Sequence, residues 1–457
     1  MLCMSTFETR DPATGETIAE VPITTQAELT EAVARARAAA AEWAAVPFDA
    51  RGAALMAAGE RMLERADELA DLVTREMGKP RAEALAEVKA RARGMESLVG
   101  EVREALAAER IEGSGVDSII QREPLGVVAA ITPWNFPIGM PCSILLPALL
   151  TGNTVVFKPS ELVPLVGSAL AEILATFLPD GVLELVQGPG EVGAQLVDAD
   201  VDMVGFVGSR DTGVKIMGAA AGGLKRLVLE LGGKDPLVVF ADADLAAAAD
   251  TAVRYSFRNA GQVCCSIERV YVAESVASEF EELVLARARR WRAGADDGGE
   301  DRMGPMVSDL QRSKVALQVE DAVERGGRLL LGGKAIEGGG YFFEPTVVAD
   351  VTDDSSLVVD ETFGPVVCLQ RFDGSEEAAI ELANRGIYGL GANVYTNNVD
   401  RGIRVARAIK SGQVGVNRYL SAAGPWVGAR QSGFGFLGGI DGHRQFTVPK
   451  TISIQHG

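Results

Sequence analysis

The sequence predicts an α/β fold, in which helices cover both faces of a doubly wound parallel sheet. Short apolar stretches recur along the chain, and most are followed by a segment with the apolar spacing of a helix. These stretches are apolar throughout, as expected for strands that are buried on both faces. The chain has 457 residues, of which 47% are hydrophobic, so it can form two or three domains with a large core.

The elements follow one another in a regular order. Residues 26–108 have the apolar spacing of helices, whereas residues 111–122 alternate and predict a β-hairpin. The next region has predicted strands at 126–131, 154–157, 182–186 and 203–207 and predicted helices at 163–177, 192–198 and 212–221. A second alternating region begins after Gly233, with a strand at 236–240, a helix at 245–257 and a strand at 269–272, and continues to about Gly433.

One stretch has the length and hydropathy of a membrane span. No charged residue lies between Glu123 and Lys158. Four prolines between residues 133 and 147 interrupt this stretch, and a lipid-exposed helix cannot satisfy the backbone groups that they leave free. We therefore predict a buried strand, a loop and a buried helix, and no membrane partner.

Charge and composition exclude several classes of function. The 44 basic and 63 acidic residues give a net charge of −19, which argues against nucleic acid as a partner. Five cysteines without a CxxC motif and only two histidines argue against a disulfide scaffold, a metal site or a Ser-His-Asp triad. The first ten residues lack the pattern of a signal peptide, so we expect a cytoplasmic location.

Two motifs suggest covalent catalysis. In Leu-Glu-Leu-Gly-Gly-Lys, Glu230 ends an apolar run, where burial should raise its pKa and suit it to act as a general base. In Gly-Gln-Val-Cys, Cys264 lies on a loop whose free backbone N–H groups could stabilise an oxyanion. A thiol and a base together indicate a thioester that water then hydrolyses.

Other motifs are ambiguous when taken alone. Asn135, in Pro-Trp-Asn-Phe-Pro, could cap a turn or donate to an oxyanion. Lys158 and Glu161, at the end of a predicted strand, could bind ribose hydroxyls or form a solvated loop. The segment 188–193 matches GxGxxG, but its proline makes a structural turn at least as good an interpretation. Segment 206–213 could face a phosphate, while 361–365 alone would be a surface turn.

Together and in this order, the motifs resemble those of the NAD(P)-dependent aldehyde dehydrogenase superfamily. The resemblance runs from Asp11 to Thr447 and is closest overall to succinate-semialdehyde dehydrogenases. It implies a Rossmann-like cofactor domain plus an α/β catalytic domain and a small β oligomerisation arm. The implied bounds are 1–105 and 125–232 for the NAD-binding domain, 233–433 for the catalytic domain, and 106–124 and 434–457 for the arm. The arm implies a homodimer or homotetramer.

The resemblance also implies a role for each motif. Cys264 is implied to be the nucleophile, Glu230 the deacylating base and Asn135 an oxyanion donor, with Lys158 assigned to both catalysis and the cofactor. The residues implied to bind NAD are Ile131, Thr132, Pro133, Trp134, Lys158, Ser160, Glu161, Gly188, Gly193, Phe206, Gly208, Ser209, Leu231, Gly232, Glu361 and Phe363. The carboxylate of Glu161 would repel a 2′-phosphate, so we expect NAD, with NADP as the alternative.

The substrate is the least determined part of the prediction. The implied lining residues are Met140, Ser143, Arg258, Cys265 and Trp426. Many succinate-semialdehyde dehydrogenases have an Arg at the position of Ser143, so a carboxylate substrate would depend on Arg258, whereas Trp426 suits an apolar or aromatic aldehyde. Cys265 and Cys368 are interpreted as small buried hydrophobes. Two alternatives remain: a CoA-acylating semialdehyde dehydrogenase and a catalytically silent structural member of the superfamily.

Overall fold

The structure is a computed structural model that describes residues 5–113, 116–295, 298–421 and 424–455. Its regular elements form two large sheets, one three-stranded sheet and the helices around them. Cys3, His456 and short pieces of both predicted arm segments lie outside the described residues. Among the helices of the described part, none is long and apolar enough to cross a membrane.

The helices agree closely with the predicted pattern. The region 26–108 forms five consecutive helices, and the predicted helix at 245–257 has the predicted bounds. The α-helices are Gln26–Ala45, Phe48–Glu64, Ala66–Met77, Arg81–Arg93, Met95–Ala105, Gly139–Leu150, Pro164–Ala175, Gly190–Asp198, Arg210–Ala220, Leu245–Phe257, Ala277–Ala288, Asp309–Glu324, Ser356–Val359, Glu376–Ala383, Val399–Ala408 and Gly439–Arg444.

The first sheet has six strands. In spatial order they are Gly433–Phe434, Arg226–Glu230, Met203–Val207, Val127–Ile131, Thr154–Lys158 and Leu183–Leu185. The five from the first half of the chain are parallel, and Gly433–Phe434 is antiparallel to its neighbour. Alternate residues of the central strand pack into different apolar clusters, Val128 and Ala130 into one and Val127 and Ala129 into the other. Both faces are therefore covered, as the uniformly apolar strands predicted.

The second sheet has seven strands. In spatial order they are Arg328–Leu331, Thr346–Ala349, Val366–Phe372, Ile267–Ala273, Asp235–Val239, Gly391–Tyr395 and Gln413–Val416. All neighbours are parallel except Arg328–Leu331, which is antiparallel. Here too, Leu237 and Val239 pack on one face and Val238 on the other. The predicted α/β fold with parallel sheets is confirmed.

A third sheet joins the predicted hairpin to the C-terminal strand. Its order is Thr447–Gln455, Val116–Pro124, Glu109–Ile111, and both pairings are antiparallel. Smaller two-stranded pairs are Thr6–Arg10 with Thr17–Pro22, Arg292–Ala293 with Arg302–Met303, and Trp426–Val427 with Phe436–Leu437. The domain bounds given above remain predictions.

Candidate active site

A cavity of about 200 Å³ lies where the loop of Cys264 meets the carboxyl ends of strands of the first sheet. Its lining combines two of these strand ends, the Asn135 loop, the Cys264 loop and one helix of the second half. The lining residues are Pro133, Trp134, Asn135, Met140, Val207, Gly208, Ser209, Glu230, Leu231, Gly232, Cys264, Gln311, Lys314, Glu361 and Phe363. The structure thus brings together the three residues predicted for covalent catalysis and several of those predicted for the cofactor.

Glu230 is the last residue of the strand Arg226–Glu230 and is 3% exposed. Burial raises the pKa of its carboxyl group well above the usual value, as its apolar neighbours predicted. A hydrogen bond opposes this shift: the indole Nε1 of Trp426 donates to Oε1 of Glu230 at 2.7 Å. A raised pKa strengthens a carboxylate as a proton acceptor, which is the property of a general base.

The loop before Cys264 has an unusual backbone. Asn259, Ala260 and Gly261 have φ values of 52°, 54° and 71°, so three consecutive residues lie in the left-handed region. A Cβ on Gly261 would lie 2.1 Å from the carbonyl oxygen of Gly364, so only glycine fits there. Asn259 and Ala260 have side chains, so the left-handed conformation costs them free energy and needs support from their surroundings.

Amide side chains supply that support. Asn259 Nδ2 donates to the carbonyl oxygens of Asn135 at 3.1 Å and Gln262 at 3.2 Å. Gln262 Nε2 donates to Asn259 O at 3.1 Å, and its Oε1 accepts from Val307 N at 2.8 Å. Both side chains are almost fully buried. These hydrogen bonds fix the Gly-Gln turn, which presents Cys264 to the cavity.

The surroundings of the Cys264 thiol favour its neutral form. The pKa of Cys264 is raised well above the usual value for a thiol, mainly by its hydrogen bond with Cys265 and secondly by burial. The Glu230 carboxylate contributes in the same direction. Among the described residues, no acceptor is paired with the Cys264 backbone N–H. That N–H is thus available to a ligand.

Asn135 faces the Cys264 loop through its amide. Its Nδ2 donates to the carbonyl oxygen of Gln262 at 3.1 Å, and the side chain is 4% exposed. An amide nitrogen carries two hydrogens, so this bond orients the group and leaves the second N–H for another acceptor. The structural and catalytic interpretations of Asn135 are therefore compatible.

The Asn135 loop rests on a buried ion pair. The ammonium group of Lys79 pairs with Glu87 and lies 3.8 Å from the centre of the Phe136 ring. Glu87 Oε1 accepts from the backbone N–H groups of Ile138 at 3.0 Å and Gly139 at 2.8 Å. These two groups open the helix Gly139–Leu150, whose N-terminal dipole favours a carboxylate.

A second buried ion pair holds the loop of Glu361 and Phe363. Glu268 accepts from the backbone N–H groups of Thr362 at 2.7 Å and Phe363 at 2.9 Å. Lys234 Nζ pairs with Glu268 at 2.6 Å and donates to Thr362 Oγ1 at 2.8 Å. Phe363 has a φ of 55° and meets Trp134 edge-on, with ring centres 5.4 Å apart. The prediction that this segment, taken alone, is a surface turn is wrong, because two oppositely charged buried side chains fasten it inside the molecule.

Glu361 is the acidic group on this side of the cavity. Its Oε1 accepts from the Gly233 N–H at 3.0 Å. Burial, reinforced by the neighbouring Glu268, raises the pKa of Glu361 to about 7. A Cβ on Gly232 would lie 2.5 Å from Glu361 Oε1, so glycine is required for this approach.

Gly208 and Ser209 begin the helix Arg210–Ala220 next to the cavity. Ser209 is the N-cap, and its hydroxyl accepts from Thr212 N at 3.3 Å. A Cβ on Gly208 would lie 2.4 Å from the Phe206 ring, so the backbone lies close against that ring. The free N–H groups of this helix turn and its dipole can face a phosphate.

A separate group of predicted cofactor residues lies at the end of the strand Thr154–Lys158. Lys158 is 3% exposed, and its Nζ lies 3.0 Å from Pro159 O and 3.6 Å from Glu161 Oε2. A Cβ on Gly193 would lie 3.4 Å from Lys158 Cδ, so the Gly193 helix turn packs on this lysine. The side-chain oxygen of Thr132 is buried without a partner among the described residues, beside Lys158 along the sheet edge.

These residues do not line the cavity of Cys264. The predicted cofactor residues outside that lining are Ile131, Thr132, Lys158, Ser160, Glu161, Gly188, Gly193 and Phe206. Ile131 pairs with both Lys158 and Phe206 in neighbouring strands, which places this group along the same sheet edge as the cavity. Gly188 precedes the helix Gly190–Asp198 with a φ of 148°, as in a structural turn.

Most predicted substrate residues also lie outside the cavity lining. An apolar cluster comprises Val263, Cys265 and Leu390 with Phe136, Cys264, Tyr419, Leu420 and Trp426 packed against them. Met140 lines the cavity itself, whereas Ser143 Oγ donates to Met140 O at 2.6 Å within its own helix. Arg258 lies 3.6 Å from Glu83 and 5.8 Å from the centre of the Phe136 ring.

Cys265 is more than a small hydrophobe. The Tyr419 hydroxyl lies 3.0 Å from Cys265 Sγ and 2.7 Å from Cys265 O. Tyr419 in turn stacks on Tyr255 with ring centres 3.5 Å apart. The thiol beside the candidate nucleophile is thus fixed by a hydroxyl group more than 150 positions away, and no local pattern marks that contact. For Cys368, which is fully buried, the hydrophobe interpretation agrees with its position.

Sequence reasoning missed several residues of the site. Val207, Gln311 and Lys314 line the cavity, and Gln311 Nε2 donates to the carbonyl oxygens of Thr362 and Phe363 at 3.0 Å each. Gln311 and Lys314 belong to the helix Asp309–Glu324, whose polar residues would ordinarily be interpreted as a solvated face. Within the described ranges, no group of three or more His, Cys, Asp or Glu side chains could hold a metal ion.

Comparison with known proteins identifies the family of the chain. The family model described as "Aldehyde dehydrogenase family" matches residues 3–452. A probable succinate-semialdehyde dehydrogenase [NADP(+)] of Sinorhizobium fredii is 39% identical, over 98% of this chain and 92% of that protein.

Solved structures give the same result. Lactaldehyde dehydrogenase from Escherichia coli superimposes with a TM-score of 0.96 at 35% identity, over 100% of this chain and 97% of that chain. Betaine aldehyde dehydrogenase from Staphylococcus aureus, in complex with NAD+, does so with a TM-score of 0.94 at 33% identity, over 98% and 91% of the two chains. The chain described here therefore belongs to the aldehyde dehydrogenase family, a family of NAD(P)-dependent oxidoreductases.

Proposed function

We propose that this enzyme oxidises an aldehyde to the free carboxylic acid with NAD+, through a thioester on Cys264 that water hydrolyses with Glu230 as general base. The observation that carries the proposal is the common cavity of a thiol, a buried carboxyl group and an amide donor, supplied by Cys264, Glu230 and Asn135. The family accounts for aldehyde oxidation, and the carboxyl group accounts for water as the acyl acceptor.

The residues around the cavity fit a dinucleotide. Gly208 and Gly232 let the backbone come close to a ligand, and the Ser209 cap offers a helix N-terminus to a pyrophosphate. Glu361 offers a carboxylate to ribose hydroxyls beside the thiol. The Thr132 hydroxyl, which has no partner among the described residues, and the Lys158–Glu161 pair offer polar groups further along the same edge. When bound, NAD+ supplies the hydride acceptor.

The first stage of the mechanism belongs to Cys264. Its thiolate attacks the aldehyde carbon, a C–S bond forms, and the carbonyl oxygen becomes an oxyanion. The second N–H of Asn135 and the backbone N–H of Cys264 can donate to this oxyanion. Loss of hydride from the resulting thiohemiacetal leaves the thioester.

The second stage belongs to Glu230. Its carboxylate accepts a proton from water while the oxygen of that water attacks the thioester carbon. The C–S bond then breaks, the acid leaves and Cys264 is released as a thiolate. Burial favours proton uptake by Glu230, because it raises the pKa of the carboxyl group.

We propose an apolar or aromatic aldehyde as the substrate. The rings of Phe136, Tyr419 and Trp426 pack beside Cys264 in the apolar cluster. The oxygen of Ser143 is satisfied within its helix. The Arg258 cation is the observation that favours a second candidate, succinate semialdehyde, because it lies over the Phe136 ring. Glu83 lies 3.6 Å from that cation and offsets its charge.

The variant Glu230→Gln tests the mechanism. The amide cannot take a proton from water, so the hydrolysis of the thioester should slow by about 10²–10⁴-fold while the first hydride transfer changes little. Stopped-flow absorbance of NADH separates the first turnover from later ones, and mass spectrometry measures any acyl group that accumulates on Cys264. Equal losses in both steps would instead assign Glu230 to activation of the thiol, and release of an acyl-CoA only when CoA is added would exclude water as acceptor.

A further inference from the structure

Trp426 is tied to the same strand end as Glu230. The pair Trp426–Val427 and Phe436–Leu437 flanks Gly433–Phe434, which is antiparallel to the end of the strand Arg226–Glu230. Leu231 N also donates to Ser432 O at 2.9 Å. These contacts hold the segment of Trp426 against the carboxylate-bearing strand, 196 positions away in the sequence.

The hydrogen bond distinguishes the two oxygens of the carboxyl group. Trp426 Nε1 donates to Oε1 of Glu230 at 2.7 Å. No donor from the described residues is paired with Oε2, and Glu230 lines the cavity that contains Cys264. One oxygen is therefore anchored and the other is available to a water molecule.

The indole ring also belongs to the substrate side. Its apolar surface packs in the cluster of Phe136, Tyr419 and Leu420 next to Cys264. A tryptophan can do both things, because its ring is apolar and its single N–H is a hydrogen-bond donor. Phenylalanine would retain the packing and lose the donor.

We propose that Trp426 is a positioning residue for the general base: its indole N–H anchors Oε1 of Glu230 so that Oε2 takes the proton of the hydrolytic water. This inference rests on the proposed function. The proton passes from water to Oε2, the water oxygen bonds to the acyl carbon, and the C–S bond breaks with its electron pair on the sulfur of Cys264.

Few titratable groups surround the carboxyl group of Glu230. Cys264 on its loop, Glu361 on the next loop and Lys314 on the helix Asp309–Glu324 line the same cavity, and Cys265 interacts with the carboxylate. The adjoining strands contribute Val207, Gly208 and Gly433, which carry no charge. Burial raises the pKa of Glu230, whereas the hydrogen bond from Trp426 lowers it. Loss of the indole donor should therefore raise this pKa further.

The test is Trp426→Phe, with deacylation measured directly. Each protein is acetylated with excess p-nitrophenyl acetate, the ester is removed, and the loss of the acetyl group is followed by intact-mass analysis across a pH series. The free energy of a hydrogen bond to a charged group corresponds to a change of about tenfold or more in a rate or equilibrium constant. We therefore expect deacylation at neutral pH to slow about tenfold. The midpoint of its pH dependence should move to higher pH.

Two further variants separate positioning from packing. In Trp43→Phe, another buried tryptophan loses an indole bond, here 3.1 Å to Leu149 O, so the pH midpoint should not move. In a Glu230→Gln background, Trp426→Phe should slow deacylation no further, because the group through which it acts has been replaced. An equal slowing in both backgrounds, or an unchanged pH midpoint, would overturn the inference.

The outcomes also separate this inference from the proposed function. If wild-type protein forms an acetyl-enzyme whose hydrolysis depends on Glu230, the proposed function stands whatever Trp426→Phe does. If Glu230→Gln hydrolyses its acetyl group at the wild-type rate, the role of the base fails and this inference fails with it. Thermal unfolding of each variant verifies that it has folded.

Discussion

The cavity and the apolar cluster meet at Cys264, and they are built in different ways. The cavity is lined by apolar residues, such as Trp134 and Met140, together with glycines and the polar side chains of Ser209, Glu361 and Lys314. The cluster is formed by rings and aliphatic side chains that come from distant segments, such as Phe136 and Trp426. The difference suggests that the cavity holds a ligand of fixed chemistry, whereas the cluster sets the size and polarity of a variable one.

The largest effect should come from the residue that both regions share. Cys264→Ala removes the atom that forms the C–S bond, so NAD-linked oxidation of any aldehyde should fall by about 10⁴-fold or more. The measurement is the rate of NADH formation over an aldehyde panel. Cys368→Ala is the matched control, because that thiol is free and fully buried in the second sheet, and it should retain activity. Undiminished turnover by Cys264→Ala would refute covalent catalysis.

A change confined to the cavity should affect the cofactor and depend on pH. With a pKa of about 7, Glu361 gains a proton as the pH falls from about 8 to about 6, and the protonated group is a weaker acceptor for ribose hydroxyls. The KM for NAD+ should therefore rise as the pH falls through about 7. Glu361→Gln should raise that KM about tenfold at about pH 8 and abolish the pH dependence.

Initial rates at saturating aldehyde measure this effect, and NADP+ provides the second arm. The carboxylate of Glu161 should repel a 2′-phosphate, so the wild-type KM for NADP+ should exceed that for NAD+. A lower KM for NADP+ would contradict the NAD preference, and it would agree with the specificity in the name of the relative from Sinorhizobium fredii. A KM for NAD+ that is independent of pH in the wild type would separate Glu361 from the cofactor.

The smallest effect should come from a charge at the border of the cluster. Arg258 lies 3.6 Å from Glu83, so Arg258→Met should change kcat/KM for hexanal and for succinate semialdehyde by the same factor of about two. Parallel kinetics with both aldehydes measure this. A selective loss of about tenfold or more for succinate semialdehyde would show that Arg258 binds its carboxylate and would favour the second candidate substrate.

The difference between local patterns and contacts across the fold explains what could be predicted from the sequence. The strand Met203–Val207 and the helix Leu245–Phe257 have their predicted bounds, because uniform apolarity and helical spacing are local signals. Glu230 and Cys264 could be proposed from the sequence because the motifs that indicate their chemistry are formed by adjacent residues, and both residues line the cavity. The bond between Trp426 and Glu230 could not be predicted, since it depends on how the Gly433–Phe434 strand returns to the first sheet.

Two buried ion pairs were missed for a similar reason. Lys79 with Glu87 holds the Asn135 loop, and Lys234 with Glu268 holds the loop of Phe363. In sequence, Lys79 and Glu87 belong to a region rich in charged residues, where a solvated face is the ordinary interpretation. Only burial, which depends on the whole fold, distinguishes such a pair from surface charges.

The left-handed backbone at Asn259, Ala260 and Gly261 has a consequence for the maturation of the enzyme. Its supports are Asn135, which follows a strand of the first sheet, and the segment of Val307, which lies beyond the strand Ile267–Ala273. A newly made chain lacks these partners until its two halves have docked, and the costly backbone is then unfavourable. The backbone conformation that presents Cys264 to the cavity thus depends on contacts between the two halves of the chain, and we expect it to form only after they have docked.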